Sequence, residues 1–266
     1  MDFFALLLNT ILLRPYVFLF LVACLFPAHR LIGWRRTSAF LGITWATAFI
    51  CEFSSTRTGI PFGWYHYTGS TVGQELYLSN IPFVDSLSFS FLLYSSYCLA
   101  LAFLLPASHS PGHVLPRLQF PLSVRTGWPT ILLTTVFFAF IDIVIDPVAL
   151  RGDRWFLGKF YYYPDAGVHF GVPIANYVGW AVVSLISLTI YVPVDRHFDK
   201  LATELPGSVT GAVLLGCALY YAVLAFNLAV TFWIGESLLG TTGLLIYLPI
   251  TILLLLRMLG RLPAWA

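Results

Sequence analysis

Charge is what this chain has least of. Only 10% of its 266 residues are Asp, Glu, Lys or Arg, where an ordinary soluble domain carries about 25%. With a net charge of +2 and no dense basic cluster, it has no means of neutralising many phosphates, which excludes a nucleic-acid partner. Lysine is nearly absent. Lys159 and Lys200 both fall between apolar runs, so no helix carries the amine that a retinal Schiff base needs. Cysteine is scarce as well: Cys24, Cys51, Cys98 and Cys217 sit singly inside apolar runs, without Cys-x-x-Cys spacing. Neither a disulfide framework nor a thiolate metal cluster is expected from them, and small polarizable filler between helices accounts for them. The chain has no Gly-x-Gly-x-x-Gly turn, no phosphate-binding loop and no haem-attachment motif. Its chemistry is therefore expected to use no nucleotide.

What is present is hydrocarbon. Hydrophobic residues make up 59% of the chain, with 23 Phe, 14 Tyr and 8 Trp. The apolar runs predict an all-α, polytopic transmembrane bundle, one integral-membrane domain over residues 1–266. Residues 2–13 are apolar but too few to span, and read as an interfacial or half-inserted helix. Seven spans follow, at about Pro15–Leu31, Trp34–Phe53, Ile81–Leu105, Gly127–Asp146, Pro173–Val192, Gly207–Trp233 and Ser237–Leu259. Pro15 suits the first turn of a helix. Ser54–Asn80 and 147–172 read as polar or aromatic loops, and Pro193–Pro206 as a short charged loop. Arg14, the first positive charge, follows the first apolar run instead of preceding it. That order does not fit a cleaved signal peptide.

Seven spans place the termini on opposite sides. Arg30, Arg35, Arg36, Arg117, Arg125, Arg196, Lys200, Arg257 and Arg261 fall on one side, and Arg14, Arg57, Arg151, Arg154 and Lys159 on the other. The positive-inside rule then makes the first side cytoplasmic, which predicts a multi-pass protein of the cytoplasmic (inner) membrane with its N-terminus outside and its C-terminus inside. In this arrangement Glu52, Asp85, Asp142, Asp146 and Asn176 all come to one membrane depth, beneath the two outer loops.

Acids in that position need a reason. An Asp near a bilayer centre costs about 2.5–3.5 kcal/mol on insertion scales, and Asp142 and Asp146, four residues apart, share one helix face. Carboxyl groups in apolar surroundings tend to hold their protons, and several close together divide into an acid and a base. Glu52, Asp142 and Asp146 are therefore candidate catalytic groups. The structural alternative pairs Asp142 or Asp146 with Arg57, Arg151 or Arg154 to tie a loop to the bundle. Trp64, Tyr65, His66 and Tyr67 follow the turn residues Gly59, Pro61 and Gly63, and Trp155, Tyr161, Tyr162 and Tyr163 repeat the aromatic pattern in the other loop. They form either an interfacial belt or an aromatic lid that stabilises a cation by about 0.5–2 kcal/mol per ring. Neither His66 nor His169 has a partner at His-x-x-x-His or Glu-x-x-His spacing, so no metal is expected. A hydrogen-bonded or proton-relay His is the simpler reading. Asn176, one turn into its helix, holds either a water or a neighbouring helix.

Taken together, these residues resemble the carotenoid-biosynthesis membrane proteins that include the CruF-type carotenoid 1,2-hydratases of the bacterioruberin and γ-carotene/myxol routes. The matching pieces are Arg14-Pro15, Glu52, Thr58-Gly-Ile-Pro-Phe-Gly63-x-Tyr65-x-Tyr67, Asp142-x-x-x-Asp146-Pro147-x-Ala149, Trp155 and Phe170-Gly-Val-Pro-x-x-Asn176-x-x-Gly179-Trp180. They cover nearly the whole chain. One departure stands out: the third span opens Ile81-Pro-Phe-Val-Asp85-Ser-Leu-Ser-Phe, where the family opening is more apolar and contains Pro and Trp.

The resemblance implies a cofactor-independent hydro-lyase acting on an acyclic carotenoid ψ-end of the lycopene, γ-carotene or bisanhydrobacterioruberin type. It would work within the lipid bilayer, beside other carotenoid enzymes. Protonation at C2 of the terminal double bond leaves a tertiary cation at C1, and water captures it. The acid would be Asp142 or Glu52, with Asp146 as its partner or as the base that deprotonates water. His66 and Asn176 would position the water, and Tyr65, Tyr67, Trp64, Trp155 and Trp180 would wall the substrate. Two other readings stay open. In a lycopene cyclase-like or other isoprenoid-modifying enzyme a neighbouring double bond captures the cation. A carotenoid-binding or transport protein would perform no reaction.

Overall fold

The computed structural model describes residues 3–200 and 209–261. It is an all-α membrane bundle whose described part holds six helices long and apolar enough to cross a bilayer. The leading helix α1 (Phe3–Leu13) has 11 residues and reaches about 16 Å at 1.5 Å per residue, half of a hydrocarbon core.

The next helix, α2 (Pro15–Thr58), runs for 44 residues and contains one non-helical residue, Gly33, at φ 75° and ψ 163°. That conformation belongs essentially to glycine. It divides α2 into two arms, 15–32 and 34–58. Both outer ends meet the same loop: Arg14 binds Glu75, and Arg57 Nη2 donates to Ser79 Oγ at 3.2 Å. The arms are therefore antiparallel, each about one membrane thickness long. This accounts for seven membrane-length rods from six long helices.

The centre of the bundle is α3 (Phe83–Leu104), where every residue from Phe89 to Phe103 is buried. After a short turn, α4 (Leu122–Arg125), come α5 (Trp128–Ala149), α6 (Ile174–Lys200), α7 (Thr210–Trp233) and α8 (Ser237–Met258). Helices α2, α5 and α7 pack on α3, and α6 fills the space between α2 and α5. Gly179 of α6 admits Phe62: a Cβ there would come within 2.2 Å of the ring.

One boundary is corrected. Pro193 does not end α6, which continues to Lys200. The added turns bury Asp195 between two guanidiniums, with Arg36 Nε and Arg125 Nε each 2.9 Å from its oxygens. These ion pairs hold the segment helical despite the backbone bond that proline removes. Residues 201–206 of the expected loop, and the expected start of the following helix at Gly207, lie outside the described residues.

Among the described residues, six two-residue strands accompany the helices. The ribbon β1 (His66–Tyr67) pairs antiparallel with β6 (Tyr161–Tyr162), in the register His66 with Tyr162 and Tyr67 with Tyr161. Two further hairpins form, β2 (Tyr77–Leu78) with β3 (Ile81–Pro82), and β4 (Ala107–Ser108) with β5 (Arg117–Leu118). The β1–β6 ribbon joins the two aromatic loops over one end of the bundle.

Candidate active site

Four carboxyl groups gather beneath that ribbon. Glu52 comes from the second arm of α2, Asp85 from the first turn of α3, and Asp142 and Asp146 from the last turns of α5. Glu52, Asp142 and Asp146 are buried at 2%, 0% and 8% exposure, while Asp85 is partly open. Every hydrogen bond they receive comes from a neutral group. The Tyr67 hydroxyl lies between Glu52 Oε1, at 3.3 Å, and Asp85, and Ser86 donates to Glu52. Asn176 Nδ2 bridges Asp142 Oδ2 at 2.5 Å and Asp146 Oδ2 at 2.8 Å. Tyr161 and Tyr163 also donate to Asp146, the latter to Oδ2 at 2.7 Å. The other oxygen of Asp142, Oδ1, is enclosed without a hydrogen-bond partner.

Among the described residues no Arg, Lys or His forms an ion pair with any of the four. The pairing with Arg57, Arg151 or Arg154, considered as a structural alternative, does not occur. Arg57 donates to Phe53 O at 2.9 Å and lies over the Phe53 ring, and Arg151 and Arg154 both reach Glu236. Four anions without a cation would repel one another strongly at low dielectric. The cluster therefore has to hold protons on some of its carboxyl groups, which leaves acids and a base side by side.

Two cavities meet at this cluster. The smaller, about 40 Å³, is lined by Glu52, Tyr65, Asp85, Asp146, Tyr163 and Asn176 together with Phe62, Phe89, Tyr161 and Trp180. A water needs about 10–15 Å³ by this measure, so the space admits a few waters and no hydrocarbon chain. The larger, about 130 Å³, is walled mainly by apolar and aromatic side chains, among them Phe20, Phe91, Trp155, Phe160, Val223 and Phe226. Asp85, Asp146, Tyr161 and Trp180 line both cavities and form the partition between them. The Trp180 indole is fixed there between Phe89 and Phe138, with ring centroids at 4.4 and 4.7 Å.

The phenols are donors in this site. Burial first, then the neighbouring carboxylates, push the Tyr65, Tyr67, Tyr161 and Tyr163 hydroxyls well above the ordinary phenol range. They keep their protons near neutral pH and act as hydrogen-bond donors, not as bases.

The residues singled out from the sequence divide accordingly. Glu52, Tyr65, Asp146, Asn176 and Trp180 line the small cavity, and Asp146, Trp155 and Trp180 the large one. Asp142 lines neither and reaches the site through Asn176. Tyr67 lines neither but holds Glu52 and Asp85. His66 and Trp64 are not part of the cluster. Strand alternation turns Tyr65 and Tyr67 inward and His66 outward, where its ring lies 5.7 Å from that of the exposed Tyr162, and the Trp64 indole is half exposed and packs over Gly59. His169 meets the Ile143 carbonyl at 3.2 Å, and Asp165 is exposed.

The principal residue missing from that set is Asp85, which sits in the partition. Its signal was an acid in the first turn of an apolar span at the depth of the other three. Tyr161 and Tyr163 were legible only as part of the aromatic run with Trp155 and Tyr162, and Ser86 carried no signal of its own.

The fold and the site thus define a polytopic membrane protein with an acid cluster at the edge of an aromatic cavity. Residues 12–256 match the family described as "Carotenoid biosynthesis protein", and the chain belongs to that family. No curated protein and no solved structure matches the chain.

Proposed function

We propose that the protein is a carotenoid 1,2-hydratase, adding water across the terminal C1=C2 double bond of an acyclic carotenoid. The observation that carries this reading is the pair of cavities. A polar space of water size and an aromatic space of hydrocarbon character share a wall that holds two carboxyl groups.

Each step has groups suited to it. A carboxyl proton goes to C2, and the π electrons of the double bond form the new C–H bond, which leaves the tertiary cation at C1. Trp155, Phe160, Tyr161 and Trp180 surround the large cavity and offer their faces to that charge. A water from the small cavity, held by Glu52, Asp146 and Asn176, forms the new C–O bond. A carboxylate takes the proton that water releases, so the net change is one added water and a site restored for the next turnover. The carboxyl cluster, Asn176 and the phenols Tyr65 and Tyr67 are the working groups in this proposal, and no cofactor enters. The substrate would arrive from the bilayer, beside other enzymes that act on carotenoids. By the positive-inside count the acid end lies toward the outer face of the cytoplasmic membrane.

The test is expression in a lycopene-producing host, with the pigments analysed by mass. Hydration adds one water per modified end. Products isomeric with lycopene would instead mark a cyclase, and unchanged pigment co-purifying with the protein would mark a binding or transport role.

A further inference from the structure

We infer that Asp85 delivers the proton to the alkene and that Asp146 is the base that receives the proton from water, with Glu52 linked to Asp85 through Tyr67. This division of labour rests on the hydration reading above and deepens it.

Three observations assign the roles. First, position: of the four carboxyl groups only Asp85 and Asp146 line the large cavity, where the hydrocarbon would lie, whereas Glu52 lines only the small one and Asp142 neither. A group that must touch C2 is one of these two. Second, hydrogen bonding separates them. Asp146 is surrounded by three donors, Tyr161 on Oδ1 and Tyr163 and Asn176 on Oδ2. It is arranged as an acceptor on both oxygens, and its donors face the small cavity together with it. Asp85 accepts from a single hydroxyl, that of Tyr67, lies within hydrogen-bond reach of the Glu52 carboxyl, and is half-buried where the other three are buried. Third, the Tyr67 hydroxyl that touches Asp85 also contacts Glu52 Oε1 at 3.3 Å, and Glu52 reaches the small cavity. A proton lost from Asp85 to carbon can be replaced through Tyr67 from Glu52, and Glu52 is replenished from water. Asp142, enclosed with one oxygen unpartnered, positions Asn176 and through it Asp146.

In proton terms, Asp85 O–H breaks as C2–H forms. Water O–H breaks toward Asp146 as O–C1 forms. The proton then on Asp146 returns to solvent water in the small cavity, while Asp85 is reprotonated along Tyr67 and Glu52. No electron acceptor or donor is required.

The test uses membranes containing the full chain, supplied with lycopene in D2O. Deuterium is read by mass both in the product and in recovered lycopene. Wild type gives hydrated product carrying one non-exchangeable deuterium at C2. Asp146→Asn still forms the cation but lacks the base for water, so product falls about 100-fold or more. Recovered lycopene from that variant becomes deuterated, because the cation collapses by returning a proton from C2 to the Asp85 carboxylate, which re-forms the double bond. Asp85→Asn gives neither product nor deuterated lycopene, and Asp85→Glu restores deuteration, which separates a missing acid from a misfolded protein. Deuterated lycopene or near-wild-type product from Asp85→Asn would overturn the assignment, as would product loss in Asp146→Asn without deuteration. A wild type that makes no hydrated product would overturn the hydration reading itself, which is a different result from either.

Discussion

The two ends of the bundle each bury a cluster of acids, and they treat them in opposite ways. At the end away from the ribbon, Asp195 lies between Arg125 and Arg36, and Asp199 meets the same two guanidiniums. Arg125 also donates to Phe120 O at 3.3 Å, and Tyr97 Oη to the Arg125 carbonyl at 3.1 Å. Two acids meet two cations, and no cavity opens there among the described pockets. Beneath the ribbon, four acids meet phenols, a serine and an amide, with no ion pair among the described residues and with two cavities at their side. The comparison separates a role in holding helices together from a role in moving protons. Paired charges in a closed space fix α6 against α2 and α4. Unpaired carboxyl groups beside empty space can exchange a proton with whatever fills it.

The sharpest way to break this contrast is to neutralise one acid at each end. Asp146→Asn is expected to lower turnover of folded protein by about 10²–10⁴-fold, the usual contribution of a positioned acid or base, with little change in thermal unfolding. Pigment assays and melting curves on the same preparation check both halves. Arg125→Met should do the reverse. Removing one partner of a buried ion pair typically costs about 3–5 kcal/mol, so the melting temperature should drop markedly while turnover per folded molecule is kept. A variant of Arg125 that loses activity without losing stability would erase the distinction between the two ends.

Smaller effects sharpen it. Asn176→Ala removes the one donor to Asp142 among the described residues and one of three to Asp146. A lost hydrogen bond of about 1–1.5 kcal/mol corresponds to roughly a tenfold fall in turnover, to be read as kcat with KM nearly constant. Smallest is a pH effect at the outer loops. Burial works against ionisation of Glu236, but Arg151 and Arg154 outweigh it and hold this carboxyl below its ordinary value of 4.5. A group so depressed stabilises the fold above 4.5, and the contribution fades as pH falls through the lower folded value. Limited proteolysis should therefore cut near residues 151–158 more readily in acid than at neutral pH, and Glu236→Gln should remove that pH dependence. Cleavage that does not change with pH would show the clamp to be without effect.

Much of this was legible in the sequence because it depends on composition and local periodicity. The membrane class, the seven rods and the depth of Glu52, Asp142 and Asp146 followed from where apolar runs begin and end. Pro193 misled because a proline stops a helix only when nothing else holds it, and what holds it here, Arg36 and Arg125, is far away in the chain. Asp195 fell in the expected short charged loop for the same reason. His66 was read with the acids because sequence puts it between Tyr65 and Tyr67. The pairing with β6 decides which of these three rings point inward, and it sends the middle one out.

The sequence by itself determined that this chain lives in a bilayer, that Glu52, Asp142 and Asp146 come to one depth, and that its aromatic loops lie over them. Each of these is a sum over local choices between water and hydrocarbon. The tertiary structure alone decided which carboxyl groups lack a cation, which two stand between a polar and an apolar cavity, and that Asp85 is one of them. Those facts depend on distances between residues 30 to 130 positions apart, and such distances are set only when the helices pack.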